Sequence, residues 1–217
     1  TFQRAFQTHP LRRGAYTVAS VALAALIFIG GWRLASLNHN AHVGGSVSTY
    51  VTGNGQRANI TLPDGSTVTL NVASRLEVPA DYNTGHHTVR LTGEALFTVM
   101  RHDATPFTVI SGAATARVLG TSFVVRHYAQ DTMTTVAVRD GKVAVRSAVL
   151  TAEREMEISQ TGVTRISQAD PSQFSFATGV LTLNGIPLRD AIVMLDRWYD
   201  ADIRLGDVVI ATQVDNY

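Results

Sequence analysis

The sequence predicts a mainly β fold carried behind a single membrane-spanning helix, on three observations. Ala15–Trp32 (AYTVASVALAALIFIGGW) is an apolar run of 18 residues without a charge. From Tyr50 onward the apolar residues recur with period two, the signature of half-buried strands. The runs are short and separated by turn residues such as Pro63-Asp64-Gly65-Ser66 and Arg139-Asp140-Gly141-Lys142. Short strands this closely spaced build a sandwich, roll or barrel made mostly of antiparallel pairs.

In chain order, residues 1–14 are a cytoplasmic remnant and residues 15–37 are the transmembrane helix with its flank. As a helix, the 18 uncharged residues extend roughly 27 Å, close to the hydrocarbon thickness of a bilayer. The run is longer than an ordinary signal-peptide core, and no small-x-small cleavage site follows it. Arg4, Arg12 and Arg13 precede the span, and only Arg33 follows closely. The excess of arginine before the span holds the N-terminus in the cytoplasm, so the bulk of the chain is periplasmic in a Gram-negative cell. The sequence begins at Thr1 rather than Met and is read as a piece of a longer protein.

Residues 38–49 form a polar linker, in which His39 and His42 lack a third ligand for a metal. Residues 50–168 are the β domain. Ile60 and Leu62 lead into the Asp64-Gly65 turn, and Val68, Leu70 and Val72 return on one face. Further strands are predicted at Val89–Leu91, Leu96–Val99, Phe107–Ile110, Ala116–Leu119, Phe123–Arg126, Thr135–Val138, Val143–Val145, Met156–Ile158 and Val163–Ile166. Residues 174–217 read as a truncated β-α-β unit, with strands at Val180–Leu183 and Ile203–Leu205. Between them Asn184-Gly185 turns the chain and Pro187 opens a helix. Leu188, Ala191, Ile192, Leu195 and Tyr199 form one apolar stripe at helical spacing, with Arg189, Asp190, Asp196 and Arg197 on the opposite face.

Signatures of chemistry are sparse. A net charge of +1 gives no clustered basic face for nucleic acid, and the absence of cysteine removes disulfides, thiolate metal sites and a thiol nucleophile. Gly53-Asn54-Gly55 lacks the lysine of a phosphate loop, and neither a Gly-x-Ser-x-Gly elbow nor a His-Glu-x-x-His helix occurs. His86, His87, His102 and His127 are scattered among strand ends, and Glu94 and Asp103 read as structural rather than as an acid–base pair. No cofactor, no metal site and no enzyme activity on another molecule is expected.

The tokens themselves carry a resemblance. Tyr50, Thr52, Gly55, Gln56 and Arg57; Leu62, Asp64, Gly65 and Ser66; Leu70, Asn71, Ser74, Arg75 and Leu76; Gly93-Glu94-Ala95-Leu96-Phe97; Pro106-Phe107; and Gly120-Thr121-Ser122-Phe123 follow one another in this order. The series resembles the FecR family of transmembrane anti-sigma factors. Two places depart from the family pattern, the Asp140-Gly141-Lys142 hairpin and Ala152-Glu153, where a glycine turn would be expected.

The resemblance implies a FecR-like sandwich followed by a unit similar to the short module of secretins and TonB-dependent receptors. It implies a relay from a TonB-dependent siderophore receptor in the outer membrane, through the periplasmic domain, to an extracytoplasmic-function sigma factor in the cytoplasm, with envelope proteases as further partners. It places receptor binding on Leu188, Ile192, Leu195 and Tyr199, against the alternative of a helix that only caps the sheet. It places self-cleavage at Gly120–Thr121, where the hydroxyl after an unobstructed glycine attacks the preceding carbonyl, against the alternative of a plain turn-and-strand packing motif. The alternative is a membrane-anchored periplasmic β domain that binds polysaccharide or peptidoglycan. An aromatic content of 7% disfavours it.

Overall fold

The structure, a computed structural model, describes residues 46–204 other than 83, 102–104 and 184. The predicted span, most of the linker, His39, His42, His102, Asp103 and the end of the second C-terminal strand lie outside the described residues. No helix among the described residues is long and apolar enough to cross a membrane.

Thirteen strands follow in order: β1 Ser48–Val51, β2 Ala58–Thr61, β3 Thr67–Leu70, β4 Arg75–Val78, β5 His87–Thr98, β6 Phe107–Ser111, β7 Ala114–Val118, β8 Ser122–His127, β9 Met133–Asp140, β10 Lys142–Val145, β11 Ala148–Thr151, β12 Arg154–Ser159 and β13 Thr164–Gln168. They form two runs that share β5. The first half of β5 pairs with β4 and β6, continuing to β1 on one side and through β7 and β10 to β11 on the other. Its second half pairs with β3 and β8, continuing to β2 and through β9 and β12 to β13. Every pair is antiparallel except β5 with β6.

The predicted strands at Val89–Leu91 and Leu96–Val99 are thus one strand. Gly93, read in sequence as punctuation, is the bend that lets β5 pass between the two runs. Its φ is 104°, and a Cβ there would lie 2.8 Å from the Ser74 Cα. Only glycine fits such a bend without strain.

The two runs close on a single core. Phe97 stacks on Phe123 at 5.3 Å between ring centroids and contacts Phe107 at 5.9 Å. All three rings are essentially buried, each burial stabilising the fold by about 1.5–3 kcal/mol. The Asp64 turn forms as its chemistry requires. The Asp64 Oδ1 accepts from the Ser66 N–H at 3.0 Å, and Gly65 takes a φ of 83°. At Ala152-Glu153, where the family glycine is missing, Glu153 itself adopts a φ of 63°.

After β13 the chain forms a 3-10 helix at Pro171–Thr178 and then an α-helix, α1, at Leu188–Tyr199. Of the predicted β-α-β unit, the helix is present as expected. Residues 180–183 and 203–204 form no strand, so the two predicted strands are not seen among the described residues.

Candidate functional site

Strand alternation puts Ala95 and Phe97 of β5 in the core and turns Glu94 and Leu96 to the other face of the sheet. The register carries Glu94 across to Arg126 on β8, Thr135 on β9 and Glu157 on β12. The neighbouring row is Leu96, Val124, Ala137 and Glu155. On an open sheet both rows would be solvated. Here the C-terminal segment lies over them, leaving Leu96 5%, Val124 1% and Glu94 8% exposed.

Sequence explains how the segment is held. Asp170 caps the 3-10 helix through its Oδ1 to the Ser172 N–H at 2.9 Å, the ordinary role of an aspartate at that position. This seats Phe176 on Leu96 and Val124, with Phe174, Ala177 and Trp198 packed around them. The Gly53–Arg57 loop grips from the side. The Gly55 N–H donates to the Arg197 carbonyl at 2.7 Å, and Arg57 Nη1 donates to the Phe176 carbonyl at 2.7 Å. The Arg57 guanidinium also lies 5.0 Å over the Trp198 ring, a cation–π contact. The Gly-Gln-Arg token therefore has a structural meaning: it fastens the C-terminal segment to the β domain.

A second set of tokens meets beneath this cover. Thr52 Oγ1 donates to the Asn71 carbonyl at 2.6 Å and accepts from the Ser74 N–H at 3.0 Å. Ser74 Oγ accepts from the Glu94 N–H at 2.9 Å, and Asn71 Nδ2 donates to Glu94 Oε2 at 2.6 Å. Above them Tyr128 donates its hydroxyl to the Val72 carbonyl at 3.0 Å. Two guanidiniums contact the Tyr128 ring, Arg126 at 5.5 Å and Arg197 at 3.9 Å from its centroid. Arg126 also pairs with Asp131 at 3.3 Å. Gln130, with its amide oxygen turned to α1, accepts from Arg197.

Burial pushes the Glu94 carboxyl above the usual carboxylate range, against the pull of Arg126 and the Asn71 amide. Burial likewise lowers Arg197 from its ordinary value. Beneath the cover the buried Asn71 Oδ1 has no donor among the described residues, and the Glu94 carboxyl is hydrogen-bonded through Oε2.

Between the sheet and the segment runs a groove of about 630 Å³. Its charged lining comprises Glu94, Asp131, Glu155, Glu157 and Asp190 against Arg126 and Arg197, an excess of negative charge. Among the described residues no group of three or more histidine, aspartate or glutamate side chains stands close enough to share a metal ion.

The helix is rotated relative to its predicted orientation. Arg197, assigned in sequence to the solvent face, is buried at 8% exposure, and with Val193, Met194 and Trp198 it lines the groove over the sheet. The stacking surface of Tyr128 accommodates the guanidinium that a helical wheel assigns to water. Of the predicted stripe Ala191 is buried and Ile192 and Leu195 are half-buried, while its two ends turn outward, Leu188 at 65% and Tyr199 at 67% exposure. Gly120 and Thr121 lie apart from this groove, before β8. Thr121 is buried, and its Oγ1 donates to the Lys142 carbonyl at 2.8 Å. Sequence reasoning passed over Arg126, Tyr128, Asp131 and Trp198; the only available signal was that Arg126 and Tyr128 flank an otherwise apolar strand end.

The fold is thus a two-run β sandwich with a helical C-terminal cover, and comparison with known proteins places it. The family model described as FecR protein matches residues 48–144. A crystal structure at 1.65 Å resolution of a putative anti-sigma factor from Parabacteroides distasonis ATCC 8503 is 31% identical, with a TM-score of 0.68 over 75% of this chain and 80% of that one. A second structure described in the same words, at 2.50 Å, is 31% identical, with a TM-score of 0.69 over 79% and 82%. No curated protein matches the sequence significantly. The chain belongs to the FecR family.

Proposed function

We propose that the chain is an anti-sigma regulator of the inner membrane, with its β domain in the periplasm and its N-terminus in the cytoplasm. Family membership carries this reading, together with the likeness to two structures described as anti-sigma factors. The cytoplasmic side holds an extracytoplasmic-function sigma factor. The periplasmic side receives a signal from the signalling domain of a TonB-dependent siderophore receptor, and envelope proteases complete the release. The stripe Leu188, Ile192, Leu195 and Tyr199 supports a docking role, since two of its four side chains are largely exposed.

Self-cleavage at Gly120–Thr121 belongs to the same reading. The Thr121 hydroxyl adds to the Gly120 carbonyl carbon, the C–N bond breaks and the hydroxyl proton passes to the released Thr121 amine. Water then opens the ester to a Gly120 carboxylate. The hydrogen bond from Thr121 Oγ1 to the Lys142 carbonyl holds the hydroxyl in place, and Gly120 presents no side chain to the attack.

Affinity capture of the chain from solubilised host membranes tests the relay. Recovery of a sigma factor with a TonB-dependent receptor is expected, and recovery of neither overturns it. Alkaline phosphatase fused after Tyr217 should be active if the β domain is periplasmic. Intact mass after long incubation should show two fragments that Thr121→Ala abolishes; a single full-length species removes the cleavage step.

A further inference from the structure

We propose that the groove between the sheet and the C-terminal segment is a binding site for a lysine or arginine side chain, presented by an extended polypeptide with apolar neighbours. The inference goes beyond the regulatory reading and stands on the groove alone.

Its floor asks for hydrogen-bond donors. Asn71 is 1% exposed and its Oδ1 has no partner, while Glu94, 8% exposed, is hydrogen-bonded through Oε2. Buried acceptors in native proteins are ordinarily satisfied, so the Asn71 oxygen left open among the groove-lining residues marks a place for a donor. The arginines on the lining do not fill it. Arg126 faces Glu94 across the ladder and attracts its charge, but its hydrogen bond goes to Asp131 and its guanidinium lies over Tyr128. Arg197 is engaged with Tyr128 and Gln130.

The walls add charge and shape. Glu157 is half-buried and makes no hydrogen bond among the described residues, with Arg165 opposite it across the ladder but outside the groove lining. Asp190 stands on the helix side, and the excess of carboxylates makes the interior favourable to a cation. Leu181, Val193 and Met194 line the groove as well. A free amine would leave these side chains uncovered and occupy a small part of about 630 Å³. A basic residue flanked by apolar ones satisfies floor and wall together, and the volume lies in the usual range for such ligands. Because the occupant touches both β12 and α1, its binding would tighten the C-terminal cover on the sheet.

Calorimetric titration of the full chain with acetyl-Leu-Lys-Val-Leu-amide tests this. The same peptide with norleucine in place of lysine, and n-butylammonium alone, serve as comparisons. The lysine peptide should bind at least about tenfold more tightly than either, the span of one charge-assisted hydrogen bond, and weaken with added salt. Glu94→Gln and Glu157→Gln should each cost about tenfold for the lysine peptide and leave the norleucine peptide unchanged. Glu77→Gln, on β4 away from the groove, should change neither. Glu157→Gln keeps the test decisive where Glu94→Gln disturbs folding, because Glu157 has no hydrogen bond to lose. Equal binding of the lysine and norleucine peptides, binding of butylammonium as tight as the peptide, or no heat with any of the three overturns the proposal.

Discussion

Truncating Phe176 to alanine should detach the C-terminal segment while leaving the sandwich folded. Phe176 is 5% exposed and is, among the described residues, the only fully buried apolar anchor that the segment places on Leu96 and Val124; Trp198 and Phe174 are half-buried. Removing a buried phenylalanine costs about 3–5 kcal/mol. The lower end applies here, since the site lies under a thin cover that can partly collapse. At about 1.4 kcal/mol per decade, a loss of roughly 3 kcal/mol raises the detached population by about a hundredfold. The remaining ties, chiefly the Gly55 and Arg57 bonds to the Arg197 and Phe176 carbonyls, are too few to restore it. None of the core rings Phe97, Phe107 and Phe123 touches the substitution, so the sandwich keeps its stability. Hydrogen exchange followed by mass spectrometry separates the outcomes. Amides of α1 should exchange about a hundredfold faster, while those of β5 and β8 keep their protection apart from the newly exposed outer face. Uniform acceleration across β5, β8 and α1 would show that segment and sandwich unfold as one unit and refute the reasoning.

Three further perturbations follow from the same geometry. Glu94 has its folded pKa raised by burial, so its contribution to stability is fully present below the unfolded glutamate value of about 4.3 and is lost as pH rises through the folded value. The stability of the wild type relative to Glu94→Gln should therefore fall with increasing pH above about 4.3, by at most about 1.4 kcal/mol per unit, and a flat difference in denaturant titrations would contradict this. Glu153→Gly should stabilise the chain by about 0.5–1 kcal/mol, because a left-handed backbone costs a side-chain-bearing residue roughly 1–2 kcal/mol and glycine gives part of that back in unfolded-state entropy; an unchanged or lower denaturant midpoint argues against it. Gly93→Ala should cost about 3 kcal/mol or more by combining a strained φ with overlap on Ser74, seen as a lower melting temperature or as insoluble protein, whereas an unaltered melting temperature would show that β5 bends elsewhere.

Much of this chain is written in local pattern. The alternation of Val68 and Leu70, or of Met156 and Ile158, fixes which side faces the core, because period two leaves a strand no other way to hide its apolar side chains. The Asp64-Gly65 turn and the helix after Pro187 are likewise local, set by dihedral preference and helical spacing. The family tokens are legible as an ordered series, although their purpose is not.

What the tertiary structure alone decided is where distant residues meet. Thr52, Asn71, Ser74 and Glu94 read singly as turn or strand residues, and only the shared strand β5 brings them into one buried polar node. Gly93 falls between two predicted strands and proved to be a bend within one, because a glycine's positive φ serves either purpose and the neighbouring strands choose. Arg197 shows the limit most plainly. A helical wheel assigns an arginine to water, and nothing local announces the Tyr128 ring that receives it at 3.9 Å. Periodicity records which side chains avoid water on average, whereas the partner that makes burial of a charge tolerable comes from another part of the chain and appears only when the segment folds back over the sheet.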